Sequence, residues 1–259
     1  MEKEFGKVTR DQLKKLFASH VKYTDEREEF KGTVAEKSEK LETYLKHALP
    51  WSYWYELPFN LFIVIVLDAF GLRDQFMEAA RSSDPQQAVI DLMDEDDEPD
   101  KEFDDRTDEE KGYFFSLYFA LDFNIRSLRI FSKYLNQLVS EAKNDDEALF
   151  DAVLIDPLVV SSPSIAKRIQ KSSLENDKDF FQKLAKSITK TRPRRPEKEL
   201  DDTRLILAIL NECKSLSEIP PQQMYEVITK ELRAYPGIDN NTYETFRRFY
   251  HRHKKTIGT

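Results

Sequence analysis

The sequence predicts an all-α protein: a multi-helix bundle around a long central helix, with a small C-terminal three-helix unit. Apolar residues between positions 107 and 140 recur every three or four positions, the helical period, for about seven turns. They are Phe114, Leu117, Tyr118, Leu121, Ile125, Leu128, Phe131, Leu135 and Leu138. A second apolar row makes the stripe too wide for a surface helix, so other helices are expected to cover it. The chain also has only six glycines, whereas sheet-rich and phosphate-loop folds usually need more.

Two helix starts are marked by the spacing of a capping box. Thr107 and Glu110 have this spacing at the start of the central helix, and Thr9 and Gln12 repeat it near the N-terminus. We expect one helix to follow Thr9 and a second, highly charged helix to cover residues 25–46.

The apolar run at residues 61–67 predicts a buried helix. Seven apolar residues are too few for a membrane span, which needs roughly 20. The β-branched composition also suits a buried strand, but apolar spacing continues further along the chain, so a helix over residues 58–81 is the preferred interpretation. The aromatic cluster at residues 51–55 is expected to fill the core at the end of the bundle; the alternative is a ligand pocket.

Residues 94–106 are predicted to form an acidic loop. Between positions 91 and 110 the chain has 13 Asp/Glu and two basic residues. A calcium loop of the EF-hand type is excluded, because Pro99 occupies the position of the required glycine and Asp105 replaces the bidentate glutamate. No metal site and no cofactor is predicted.

Prolines and helix-start signals divide the second half of the chain. Residues 191–199 contain two prolines that a helix cannot span, so they are the predicted linker between a bundle (residues 1–190) and a basic-ended three-helix unit (residues 200–259). Further helices are expected over residues 145–155, from Pro163 onward, and over 179–190, 201–214, 221–232 and from about 240 to 255.

The net charge is unevenly distributed. The formal charge is −8, but residues 1–150 hold 20 Lys/Arg against 33 Asp/Glu, and residues 151–259 hold 20 against 15. Oppositely charged halves can attract each other, or the basic half can bind nucleic acid or an acidic partner; two solvated faces that merely differ are the simpler alternative. The single cysteine, Cys213, and an N-terminus without an apolar signal segment predict a cytoplasmic location.

The final helix is the leading candidate site, for nucleic acid. Three helices with a basic last one resemble a helix-turn-helix, in which residues at the start of the recognition helix meet base edges. The link before the last helix is longer than in a typical helix-turn-helix, and a plain bundle with a cationic C-terminal turn is the structural alternative. The predicted binding residues are Asn241, Thr242, Arg247, Arg248, Arg252, Lys254 and Lys255, with Arg192, Arg194 and Arg195 of the linker.

A second hypothesis is an enzyme. Arg248 and His253 have the Arg-x4-His spacing of the HEPN ribonucleases, which are also helical, and this resemblance implies that the two side chains share a cleft, usually in a dimer. The chain departs from that family at Phe249, where a polar residue is usual.

A third hypothesis is a helical protein–protein adaptor or complex subunit. The sequence contains no Gly-rich phosphate loop, no HExxH and no nucleophile elbow, which favours a non-enzymatic role. Asp122, Asn124, Arg126 and Arg129 interrupt the apolar central helix, and pairing of Asp122 with Arg126 one turn later is the expected explanation.

Overall fold

The structure, a computed structural model, is all-α, as predicted. It describes residues 7–36, 50–94, 106–189, 200–213, 216, 219–235 and 243–257, with the side chains at 24–36, 94 and 255–257 excepted. These ranges contain no β-strand. The α-helices are α1 (Arg10–Glu36), α2 (Phe59–Ala69), α3 (Arg73–Arg81), α4 (Pro85–Asp94), α5 (Asp108–Phe131), α6 (Leu135–Glu141), α7 (Asp146–Ile155), α8 (Pro163–Leu174), α9 (Lys178–Thr189), α10 (Asp201–Glu212), α11 (Pro221–Glu226) and α12 (Tyr243–Ile257). Two 3₁₀ helices (Trp51–Glu56 and Pro157–Ser161) and a π-helical segment (Val227–Glu231) complete them.

The chain forms two compact units. The central unit comprises Glu42–Ala69 and Arg106–Lys198, and therefore holds the first 3₁₀ helix, α2 and the helices α5 to α9. The terminal unit comprises Met1–Leu41, Phe70–Asp105 and Glu199–Thr259, and therefore holds α1, α3, α4 and the C-terminal helices.

The predicted central helix is two helices instead of one. Its start is as expected: Glu110 N donates to Thr107 Oγ1 at 3.3 Å and Thr107 N donates to Glu110 Oε2 at 2.8 Å, so both halves of the capping box are present. The helix ends at Ser132, whose φ of 57° is left-handed, and α6 starts again at Leu135. Apolar spacing continues across this break because α6 buries the same kind of face against the same core.

The 3₁₀ helix at Trp51–Glu56 is fixed in the central unit by hydrogen bonds that its aromatic side chains donate and that backbone carbonyls of the segment accept. Trp54 Nε1 donates to Ser116 Oγ on α5 at 2.6 Å, and Asn136 Nδ2 on α6 donates to the carbonyl oxygens of Trp54 and Leu57 at 2.7 Å. Tyr55 is fully buried. Tyr55 therefore fills the core and Trp51 and Trp54 pack against it, as the preferred interpretation of the sequence expected, whereas Tyr53 is 54% exposed.

The terminal unit corrects the predicted composition of the C-terminal part. Val8, just before α1, and Leu13, in its first turns, are 0% and 1% exposed and belong to the same core as the apolar residues of α10, α11 and α12. Glu231 adds polar contacts, with Arg10 Nη1 at 3.1 Å and Lys14 Nζ at 2.6 Å. The C-terminal helices thus bury their apolar faces together with α1, which the sequence boundary at residue 190 had placed elsewhere.

Other boundaries differ in detail. The helix predicted over residues 58–81 breaks at Gly71, whose φ of 68° favours glycine, and continues as α3. The first two predicted helices are continuous within α1 up to Glu36. The predicted capping box before α1 is present: Thr9 N donates to Gln12 Oε1 at 2.9 Å, and Gln12 N donates to Thr9 Oγ1 at 3.2 Å. Of the predicted acidic loop (residues 94–106), residues 95–105 lie outside the described residues, and Asp94 is the last residue of α4. The predicted linker (residues 191–199) also lies outside them.

No helix in the described ranges combines the length and the apolar character that crossing a bilayer requires. The apolar helix α2, for example, has eleven residues.

Candidate nucleic-acid interface

The inner face of α12 is anchored in an aromatic core. Phe246 is fully buried, with ring centroids 5.4 Å from Tyr225 and 5.2 Å from Tyr235. Tyr250 is 2% exposed, and its hydroxyl donates to the Leu216 carbonyl oxygen at 2.9 Å. The residues predicted to face inward do so, and they fix both the position and the rotation of the helix.

The outer face of α12 carries an exposed basic row. Arg247, Arg248, His251 and Arg252 are all exposed and, with Glu244, line an open groove of about 690 Å³. Steps of one, three and four residues place these side chains on one side of the helix. The row therefore faces solvent because the aromatic row faces the core.

The carboxylate of Glu244 partly neutralises the positive charge of this row. Arg247 Nη1 lies 3.3 Å from Glu244 Oε1, but both side chains are about half exposed, so solvent screens the pair and its contribution to stability is small. Arg248 makes no ion pair within the described part of the chain, and Arg252 Nε donates to the Arg248 carbonyl oxygen at 3.4 Å. The three arginine side chains are all exposed to solvent, where an external anion can reach them.

His253 has a different environment from this row. It is 8% exposed and stacks on Phe249, with ring centroids 5.5 Å apart and planes 14° from parallel. Burial and, to a smaller extent, the positive charge of Arg204 together lower the pKa of His253 to about 4. The imidazole is therefore neutral near pH 7.

The structure does not bring Arg248 and His253 into one cleft. Arg248 is exposed on the outer face, whereas His253 is buried against Phe249. A general acid or base needs access to the substrate and a pKa near the working pH, and buried His253 has neither. This geometry gives no support to the ribonuclease hypothesis.

The remaining predicted residues are only partly described. Lys254 is half-buried on α12, and Lys255 lies within α12 with its side chain outside the described part. Asn241, Thr242, Arg192, Arg194 and Arg195 lie outside the described residues. The sequence had not assigned His251 and Glu244 to the site, although their spacing from Arg248 and Arg247 places them on the same face.

The polar residues of α5 belong to the packing of the central unit. Asn124 is fully buried; its Nδ2 donates to the Ala120 carbonyl oxygen at 2.9 Å, and its Oδ1 accepts from Asn136 N at 3.4 Å. Asp122 is 7% exposed. Asp122 and Asn124 are therefore inaccessible to a ligand, whereas the basic side chains of α12 are exposed.

A buried carboxylate links the first 3₁₀ helix to the second. Asp156, 1% exposed, accepts hydrogen bonds at Oδ2 from Trp51 Nε1 and from the Tyr55 hydroxyl, both at 2.9 Å. Burial raises the pKa of Asp156, while its hydrogen bonds and the charge of Arg126 act in the opposite direction. Within the described part of the chain, both oxygens of this buried carboxylate accept hydrogen bonds from the protein itself, which is typical of a structural role.

The chain was compared with protein-family models, curated proteins and solved structures, and none of them matches it. What α12 can bind is therefore inferred from its own residues. A guanidinium group presents donors in a planar fork that suits phosphate and carboxylate oxygens, so an exposed row of them on a fixed helix is an anion-binding surface.

Proposed function

We propose that this protein is a non-enzymatic regulatory or accessory protein that contacts nucleic acid through the outer face of α12. The proposal rests on one observation: Arg247, Arg248 and Arg252 are exposed together on a helix whose opposite face is locked in an aromatic core. Because the core fixes the helix, the guanidinium groups meet a phosphate backbone without first ordering the element that carries them.

The polar residues beside α12 favour nucleic acid over other anions. Asn241 and Thr242 immediately precede the helix in the sequence, where side chains of a groove-binding helix meet base edges. Lys254 and Lys255 extend the basic composition toward the C-terminal end. In this proposal the arginines and lysines position the helix on phosphates, and the two polar residues contact bases.

The net charge of −8 limits the size of the contact. A protein that is acidic overall binds few phosphates, and about four contacts correspond to an affinity that falls about 100-fold between about 50 mM and about 200 mM salt. The proposal includes a cytoplasmic location, supported by a single cysteine in 259 residues.

Mutation of the basic row tests this function. The variant R247A/R248A/R252A is expected to lose most of the binding to fluorescently labelled duplex or single-stranded DNA or RNA at low salt, because it removes the exposed guanidinium groups. Fluorescence anisotropy across a salt series measures both the affinity and its salt dependence.

The matched control is R81A/K178A/K230A, which removes three exposed basic residues from other helical positions. Equal loss of affinity in the control would mean that general charge attraction, and not α12, retains the nucleic acid. Absence of binding to every probe at low salt by the unmodified protein would overturn the proposed function.

A further inference from the structure

The central unit has an open groove of its own, of about 930 Å³, between the turn that joins α6 to α7 and one face of α8. Lys143 and Asn144 line it on the side of the turn. Lys167, Lys171 and Leu174 line it on the side of α8. Spacings of four and three residues place the α8 side chains on one face of the helix, over a length of about 10 Å.

Two further lining residues, Arg168 and Asp146, form an ion pair with each other. Arg168 Nε and Nη2 donate to the two carboxylate oxygens of Asp146, each at 2.8 Å, in the bidentate arrangement that fixes both groups. Arg168 also donates to Ser172 Oγ, and its guanidinium carbon lies 4.7 Å from the ring centroid of Phe180. Arg168 and Asp146 therefore shape the groove while their charges cancel.

The rim is positively charged. Lys143 and Lys167 are exposed and have no carboxylate partner within the residues that the structure describes. Lys171 lies 3.9 Å from Glu175, but both side chains are more than half exposed, so this contact is weak. Three ammonium groups thus line an open groove in which Arg168 and Asp146 neutralise each other and Asp145 adds one carboxylate.

An exposed apolar side chain ends the rim. Leu174 is 83% exposed at the last position of α8, one turn beyond Lys171. Single exposed leucines are common, but this one extends a line of cationic side chains along a groove. A ligand bound along this face of α8 contacts Lys167 and Lys171 through their positive charges and Leu174 through an apolar contact at the end of the helix.

We propose that this groove docks an acidic peptide segment of a partner protein, with carboxylates placed at Lys143, Lys167 and Lys171 and an aliphatic side chain placed against Leu174. The length of the line fits a chain molecule better than a single small anion. Asp145 also lines the groove, and its carboxylate repels any anionic group placed beside it. The regularly spaced phosphates of a nucleic acid cannot avoid this repulsion, whereas a peptide can carry a neutral residue at that point. Leu174 offers an apolar contact that a phosphate backbone cannot use, so a peptide is the favoured ligand.

The test uses the full chain and leaves Arg168 intact, because its internal contacts support the fold. Peptides are selected from a random display library on the unmodified protein, with counter-selection on the variant K143E/K167E. Enriched sequences are expected to combine Asp or Glu with Leu, Ile or Val. Synthetic labelled copies then give the dissociation constant by fluorescence polarisation.

Charge reversal in K143E/K167E is expected to weaken binding by at least about tenfold, because like charges then face each other. The substitution Leu174→Ser is expected to weaken it by about threefold, since it removes an apolar contact from a residue that is exposed in the free protein. The matched control K178E/K186E reverses two exposed charges on α9 and should leave the affinity within about twofold.

Three outcomes would overturn the inference. One is a selection without enrichment of acidic residues, and another is equal weakening by K143E/K167E and by the α9 control. The third is binding of an oligonucleotide that depends on Lys143 and Lys167, since the groove would then be a nucleic-acid site. Loss of nucleic-acid binding in the α12 variant leaves this peptide test unaffected, so the two proposals fail separately.

Discussion

Arg248 and His253 lie five residues apart on α12 and have opposite environments, which decides the chemistry of each. Arg248 is exposed and stays charged, whereas His253 is 8% exposed and packed on Phe249. A helical step of five residues is about 140°, enough to take a side chain from solvent into the core. The same two residues that satisfy a catalytic spacing therefore act as a surface cation and as a core side chain.

The buried state of His253 predicts a loss of stability in acid. The pKa of His253 is lowered from 6.5 to about 4 by burial, so folding opposes its protonation. The stability that depends on the neutral imidazole is fully present above the unfolded pKa and is lost as the pH falls toward the folded pKa. We expect His253 to lower the free energy of unfolding by about 2 kcal/mol between about pH 7 and about pH 5.

Urea denaturation of His253→Phe at the two pH values checks this expectation. The variant keeps an aromatic ring beside Phe249 and should lose about 2 kcal/mol less than the unmodified protein between the two pH values. The substitution of exposed His251 by Gln is the matched control. An unchanged pH dependence in His253→Phe would show that other groups cause the acid sensitivity.

At the scale of the element, caps and breaks control where the helices of the central unit begin. Asp145 Oδ1 accepts from Glu147 N at the start of α7, and Asp156 Oδ1 accepts from Leu158 N at the start of the second 3₁₀ helix, both at 2.9 Å. Asp156 does more than cap, because its other oxygen accepts from Trp51 and Tyr55. Both aspartates cap a helix, but only Asp156 also holds Trp51 and Tyr55, so more of the central unit depends on its carboxylate.

The substitutions Asp145→Asn and Asp156→Asn separate these roles. Asparagine keeps the cap bond at both positions, so Asp145→Asn should change the free energy of unfolding by less than about 0.5 kcal/mol. At position 156 the amide nitrogen cannot accept from the Trp51 indole, so Asp156→Asn should cost about 1 to 3 kcal/mol. Chemical denaturation measures both, and equal effects would mean that the Trp51 and Tyr55 bonds add nothing to the cap.

At the scale of the whole molecule, each compact unit is assembled from segments that are distant in the chain. Leu13 is 1% exposed in a core that otherwise consists mainly of residues beyond position 200. Gln12 Nε2 adds a link to the carboxylate of Asp84, with distances of 3.2 and 3.3 Å. The terminal unit therefore requires both ends of the chain to fold together.

The substitution Leu13→Ala tests this dependence. It should lower the free energy of unfolding by about 2 to 5 kcal/mol, because it leaves a cavity in the shared core. Hydrogen exchange should then be faster in the amides of α10 and α12 as well as in α1. Val21→Ala, at a position that is 41% exposed, is the control and should cost less than about 0.5 kcal/mol. Faster exchange in α1 alone would contradict a shared core.

Local signals in the sequence were sufficient for the fold class and for most helix starts. The capping boxes at Thr9 and Thr107 and the proline at position 163 each mark a helix in the structure. The inner face of α12 was also predictable, because the spacing of Phe246, Phe249 and Tyr250 follows the helical period. Such signals depend on residues within one or two turns, which is why a single sequence contains them.

Helix breaks and distant contacts depended on the tertiary structure. The apolar period runs through Ser132, so only the left-handed backbone there separates α5 from α6. Nothing near Leu13 indicates that it packs with Phe246, or near Lys143 that it faces Lys167 across a groove. The sequence by itself determined which residues form helices and which faces are apolar, because these follow from local periodicity. Only the tertiary structure decided which apolar faces share a core and which charged side chains share a groove, because those pairings join residues far apart in the chain.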